Sequence, residues 1–171
     1  MRRLTRLAAA ALPALCAWSC GPVVDDESLA PLSALVLSRP RADTQLLEGF
    51  HQLEAGAWRW TKGRFAVALA PPAGASSRGA KLMLRFTLPD TVISRKKAVT
   101  LSAAIAGTPL APETYTKAGN YFYTRFVPAS ALANPPLKAT FALDPYAKAG
   151  EIDERELGLV LHSVGLYENG K

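Results

Sequence analysis

The sequence predicts an all-β chain: an antiparallel β-sandwich, jelly-roll-like, of about eight strands. Three observations predict it. Apolar residues alternate with polar or small ones over short stretches, which is the period of a half-buried strand. Turn signals built from Gly, Pro, Asn and Asp separate these stretches, and the 13 Pro and 12 Gly suit a fold with many turns. No stretch carries long helical periodicity.

The elements follow in order. From about Leu46 the pattern has period two. Phe65, Val67 and Leu69 alternate with small residues until Pro71-Pro72-Ala73-Gly74 ends the strand. Gly74 to Gly79 is small and Gly-rich and reads as a flexible hairpin. Leu82, Leu84, Phe86 and Leu88 alternate with Met83, Arg85 and Thr87, a strong strand signal closed by Pro89-Asp90. Val99, Leu101, Ala103 and Ile105 repeat it. Gly107-Thr108-Pro109 and Gly119-Asn120 read as turns, the second leading into an aromatic strand from Tyr121 to Val127. Pro128 to Leu132 suits one helical turn with Pro at its first position. Leu137, Ala139, Phe141 and Leu143 form another strand, ended by Asp144-Pro145, and the last runs from Leu157 to Leu166. An open antiparallel sheet is the alternative, but it would leave one apolar face without cover.

The first 42 residues read differently. Arg2, Arg3 and Arg6 form a positive n-region before the apolar stretch Leu7 to Leu15, the pattern of an export signal. That stretch is too short to span a bilayer, which takes roughly 20 apolar residues. Ala17-Trp18-Ser19-Cys20-Gly21 follows and resembles the lipobox of bacterial lipoproteins, in which small residues precede a lipidated Cys. The resemblance implies a signal peptide over 1–19, a lipid on Cys20 and a membrane partner through that lipid. Gly21 rather than Asp after the Cys implies the outer membrane or its periplasmic face. A plain secretory signal cleaved near Ser19 is the alternative. After Cys20 there are no cysteines, so the mature domain cannot form an internal disulfide. Residues 20–42 then read as a tether, interrupted by Pro22, Pro31 and Pro40, with Leu29 to Leu37 open to a short helix or a docking strand. The domain proper is expected over 43–171.

Charge narrows the partners. The chain has 20 basic and 14 acidic side chains, a net of +6; without Arg2, Arg3 and Arg6 the net is +3. The basic residues are scattered, and only Arg95-Lys96-Lys97 form a run, which reads as a solvated loop tip. Nucleic-acid binding normally uses a basic stripe and is not expected.

Three segments carry a further resemblance. They are Gly49-Phe50-His51-Gln52-Leu53-Glu54 with Trp58-Arg59-Trp60-Thr61, then Tyr115 with Gly119-Asn120-Tyr121, then Asp153-Glu154-Arg155-Glu156-Leu157-Gly158-Leu159. Together they resemble β-sandwich modules that accompany bacterial glycosyltransferases and cell-surface polysaccharide proteins. The resemblance implies a jelly-roll-like fold and a glycan context. It transfers no substrate.

Candidate ligand residues come from spacing. Trp58 and Trp60 are two apart in a strand, so they share one face and Arg59 points to the other. Exposed, the pair would offer a flat platform for a sugar ring; buried, it would be core, the commoner fate in a small domain. Tyr121 and Tyr123 likewise share a side, with Phe122 opposite, and both readings apply to them. Tyr115 lies in a loop-like stretch and is expected to be exposed. Asp153 and Arg155 could contact sugar hydroxyls, although pairing with each other in a turn is the more frequent outcome.

Other chemistry finds little support. His51 and His162 are the only histidines, and no His or Cys spacing suits zinc. There is no nucleophile elbow, phosphate loop or dinucleotide fingerprint, and no carboxylate pair stands out for glycoside hydrolysis. Neither a cofactor, a metal nor enzymatic activity is expected. The expected function is an envelope-anchored lipoprotein with a non-catalytic, carbohydrate-binding sandwich. The alternative is a structural or assembly lipoprotein that docks on another envelope protein and binds no sugar.

Overall fold

The computed structural model describes residues 30–169. The signal segment 1–19, Cys20 and the start of the tether lie outside the described residues. The compact unit begins at Pro31.

Nine strands form one sheet in which every pairing is antiparallel. They are β1 (Ala34–Val36), β2 (Leu46–Glu54), β3 (Trp58–Leu69), β4 (Ala80–Leu88), β5 (Val99–Ile105), β6 (Thr108–Tyr115), β7 (Gly119–Val127), β8 (Leu137–Asp144) and β9 (Val160–Glu168). The path runs β6-β5-β8-β3-β9-β4-β7, with β2 added beside β3 and β1 beside β9. The fold is all-β and sandwich-like.

β3 belongs to both halves of the sandwich. Its first residues pair with β9 (Arg59 with Leu161, Trp60 with Val160), and its last six pair with β8 from Arg64↔Ala142 to Leu69↔Leu137. The sheet therefore turns over at β3, and its two halves face each other across one core. Phe65 of β3 stacks on Phe141 of β8 with ring centroids 4.8 Å apart, and Phe86 of β4 meets Tyr115 of β6 edge to face at 5.3 Å. The edge strands at the two ends of the path also meet. Tyr123 Oη of β7 donates to the Ala111 carbonyl of β6 at 2.7 Å, and the Arg125 guanidinium pairs with Glu113 at 2.8 Å.

The alternation read from the sequence explains the core. Leu82, Leu84, Phe86 and Leu88 are fully buried, while Lys81 and Arg85 are exposed. Fully burying such a side chain contributes roughly 1.5–3 kcal/mol.

Several expectations are corrected. Residues 31–42 are not tether: Leu35, Leu37 and Ala42 are buried, and β1 docks on β9 with Leu35 opposite Val164. Gly107 does lie in a turn, with φ +83°, but Thr108, Pro109 and the loop expected after them are β6, whose Pro109 and Pro112 are tolerated on an edge strand. Gly119 opens β7. The Gly74–Gly79 hairpin contains a single helical turn, α1 (Ala75–Arg78). A second short helix, α2 (Asp90–Lys96), follows Pro89 and buries Val92 and Ile93. Arg95-Lys96-Lys97 therefore close a helix, where cations suit the helix dipole, and Lys96 pairs with Glu151 at 2.6 Å. The helical turn expected over 128–132 is a 3-10 turn, Ala129–Leu132.

Candidate functional site

The first half of β3 alternates as a strand should. Arg59 and Thr61 are buried; Trp58 and Trp60, on the opposite side of the strand, are half-buried, and Trp60 also packs against the hydrophobic core. The pairing of β3 with β9 brings the two tryptophans against Val160 and His162, and the pairing of β9 with β4 brings Thr87 beside them (Thr87↔Val160). The result is a groove of about 370 Å³ lined by Glu54, Trp58, Trp60, Thr87, Val160 and His162. It combines two indole faces with a carboxylate, a hydroxyl and an imidazole.

Its polar residues are held in place. Thr87 Oγ1 lies 2.8 Å from His162 Nε2 and donates to Asn120 Oδ1 at 2.6 Å, so a relay of hydrogen bonds crosses β9, β4 and β7. With the Thr87 proton on Asn120, Nε2 of His162 is the donor to Thr87. Burial, and secondarily the charge of Arg85, hold the His162 pKa below the usual 6.5. The groove histidine is therefore neutral at pH 7.

Glu54, at the end of β2, is anchored from the last loop. Arg155 Nη1 donates to Glu54 Oε1 at 2.7 Å, while Nη2 and Nε of the same guanidinium grip Asp153 at 2.7 and 3.0 Å. The hydrogen bonds from Arg155 hold the Asp153 carboxyl below the usual carboxylate range, and the two carboxylates push the Arg155 pKa up. The same loop is fixed twice more. Glu156 Oε1 accepts from the Gly63 backbone N–H at 2.8 Å, and His51 Nε2 lies 2.7 Å from the Glu156 carbonyl. A carbonyl only accepts, so Nε2 of His51 carries the proton.

The structure sorts the sequence candidates. Trp58 and Trp60 come together in the groove. Arg59 does not join them: it lies on the opposite side, 8% exposed, with Nη2 on Asp43 at 2.5 Å and Nη1 on the His51 carbonyl at 3.2 Å. Asp153 and Arg155 pair with each other, and Arg155 reaches the groove only through Glu54. The three tyrosines lie on the other side of their strands. Tyr123 is fully buried. Tyr121 is half-buried, its ring 4.6 Å from that of Tyr115, and its hydroxyl donates to the Lys117 carbonyl. Tyr115, expected to be exposed, is 5% exposed, because its segment is a strand packed on Phe86.

Glu54, Thr87 and His162 were not among the candidates. No local signal marks them, since only the long-range pairing of β3, β9 and β4 brings them together. Phe122, which alternation places opposite the tyrosines, is 62% exposed on the outer face of β7.

No protein-family model matches the chain, and no curated protein matches it in sequence. Among solved structures it is similar to an exo-β-1,3-galactanase from Phanerochaete chrysosporium crystallised with β-1,3-galactotriose. The identity is 11% and the TM-score 0.39; the match covers 81% of this chain and 29% of that enzyme. A likeness of this size carries neither site nor activity.

Proposed function

We propose that this protein is a non-catalytic, carbohydrate-binding lipoprotein of the bacterial cell envelope, tethered through Cys20 and binding glycan in the groove of Trp58 and Trp60. One observation carries the binding reading: two tryptophans two residues apart line a groove that also holds Glu54, Thr87 and His162. The negative faces of the indoles suit the C–H face of a pyranose, and the polar groups suit its hydroxyls. Among the described residues Glu54 is the single carboxylate lining the groove, and it is already bound by Arg155. Glycoside hydrolysis usually needs two carboxylates flanking the bond, so the lining favours binding over cleavage.

The test is intrinsic fluorescence. Trp18, Trp58 and Trp60 are the three tryptophans, so Trp18→Phe in the full chain leaves only the groove pair. Titration with a panel of envelope polysaccharides is expected to shift and quench the emission with one of them, and Trp58→Ala or Trp60→Ala to abolish that binding. Emission that ignores every polysaccharide rejects the reading. The anchor is tested separately by the intact mass of Cys20-bearing protein recovered from membranes, with Cys20→Ala as control.

The second reading, docking on another envelope protein without sugar, is favoured by the apolar side chains that β7 leaves in solvent, Phe122 at 62% and Phe126 at 57% exposed. Crosslinking from Phe122 in cells that yields one stoichiometric protein partner, with no polysaccharide response, would favour it.

A further inference from the structure

The groove does not stop at His162. Beyond it the outer faces of β9, β4 and β7 continue as one surface, with Arg85 opposite Ser163 on one side and Phe122 on the other. Two residues nearer the start of β4 comes Met83, and two further Lys81, which stands between Tyr167 and Phe126. Thr87 and Met83 are half-buried, whereas Arg85, Lys81, Phe122 and Phe126 are exposed. Arg85 lies close enough to the groove for its charge to act on His162.

On β4 and β7 the sign of this surface is one-sided. The outward residues of β4 between Lys81 and Thr87, and those of β7 between Asn120 and Phe126, include no carboxylate. Among the described residues neither Arg85 nor Lys81 forms an ion pair, although six other pairs are present. The two cations are four residues apart on one strand, about 13 Å at the usual rise. Each is flanked by an aromatic side chain on a neighbouring strand, so each charge sits beside an apolar face.

We propose that the glycan bound here is acidic, a carboxylate-bearing polysaccharide such as a polyuronate. It lies from the tryptophan groove across β9 and β4, with Arg85 and Lys81 as partners of its carboxylates. This rests on the glycan reading of the groove. A guanidinium and an ammonium held apart on a flat strand face suit negative charges repeated along an extended chain. The flanking aromatic faces suit the sugar rings between those charges. The neutral His162 lets the Trp end contact hydroxyls without adding charge.

The experiment measures binding of the full chain to polygalacturonate, alginate and hyaluronate, each beside its neutral methyl ester, with polyglutamate as an anion without sugar. At least one acid polysaccharide is expected to bind about fivefold or more tighter than its ester. That gap should close in high salt and in Arg85→Gln/Lys81→Gln. Trp58→Ala/Trp60→Ala is expected to lose acid and ester alike. Both substituted cations are exposed, so the variants keep the fold.

Equal binding of acid and ester, or a gap unchanged by Arg85→Gln/Lys81→Gln, overturns the proposal while leaving glycan binding intact. Polyglutamate binding as tightly as the best polysaccharide also overturns it. Failure of every polysaccharide, charged or neutral, removes the glycan reading itself.

Discussion

Arg155 reaches across from the last loop to Glu54 at the end of β2, its Nη1 2.7 Å from Glu54 Oε1. The pair joins residues 101 apart in sequence and fixes one wall of the groove. Both side chains are more than a third exposed, so solvent screens the attraction and its contribution to stability is about 0–1 kcal/mol. Its value lies in position. Arg155→Met is expected to leave the melting temperature within a few degrees while weakening polysaccharide binding by releasing Glu54. A large loss of stability with binding unchanged would contradict that role.

The groove histidine sets a pH response. His162 has a folded-state pKa below its unfolded value of about 6.5, so the unfolded chain takes up the proton first. Its contribution to stability is present above pH 6.5 and is lost as pH falls from there through the folded pKa. The ring resonances of His162 should titrate with a midpoint below 6.5, and Arg85→Gln should raise that midpoint by removing a nearby positive charge. A midpoint at or above 6.5 would show that the ring is open to water.

Asp153 behaves as a paired carboxylate. Its folded pKa is depressed by Arg155, so its contribution is present above the ordinary carboxylate pKa and is lost as pH falls below it. Asp153→Asn is expected to lower the melting temperature slightly at neutral pH, with the difference from the parent shrinking as pH falls below the ordinary carboxylate range. The side chain is 35% exposed, so solvent screens the pair and the difference is small.

Tyr115 carries a buried hydroxyl that, among the described residues, lies near Glu113 but meets no partner in hydrogen-bond geometry. Burial first, then the nearby charge of Glu113, push its pKa up. Removing an unsatisfied buried hydroxyl is neutral or favourable, so Tyr115→Phe should raise stability by about 0–1 kcal/mol in denaturant unfolding. Tyr123→Phe should instead cost about 1 kcal/mol, because its hydroxyl donates to Ala111 at 2.7 Å.

Gly158 leaves no room for a side chain. A Cβ there would lie 2.5 Å from the Lys62 carbonyl oxygen and 2.6 Å from Leu143 Cδ1. The obstacle includes backbone, so Gly158→Ala is expected to cost about 1–3 kcal/mol, read as a lowered melting temperature.

Alternation made the strands legible, and with them the side each residue takes. It separated Trp58 and Trp60 from Arg59, and Phe122 from Tyr121 and Tyr123, as the structure has them. It could not say which side would be inside. That depends on which strand covers which, and β9 meets the start of β3 only after a separation of some hundred residues. The tyrosines are therefore interior and Phe122 exterior for reasons no local window contains. Edge strands were the least legible. β6 carries two prolines and little apolar alternation, so it reads as loop. β1 is three residues long and gains its order from β9.

That short strand also sets how the domain bears load. A pull applied at Pro31 meets first the hydrogen bonds of Leu32 to Gln45 and Ala70, and then β1, where three residue pairs hold the chain to β9 and can be unzipped in succession. A pull on the last residues meets β9, gripped along its length by β4 on one side and by β1 and β3 on the other. Under tension the fold should yield at its leading end, paying out a few residues of slack before the groove feels any strain.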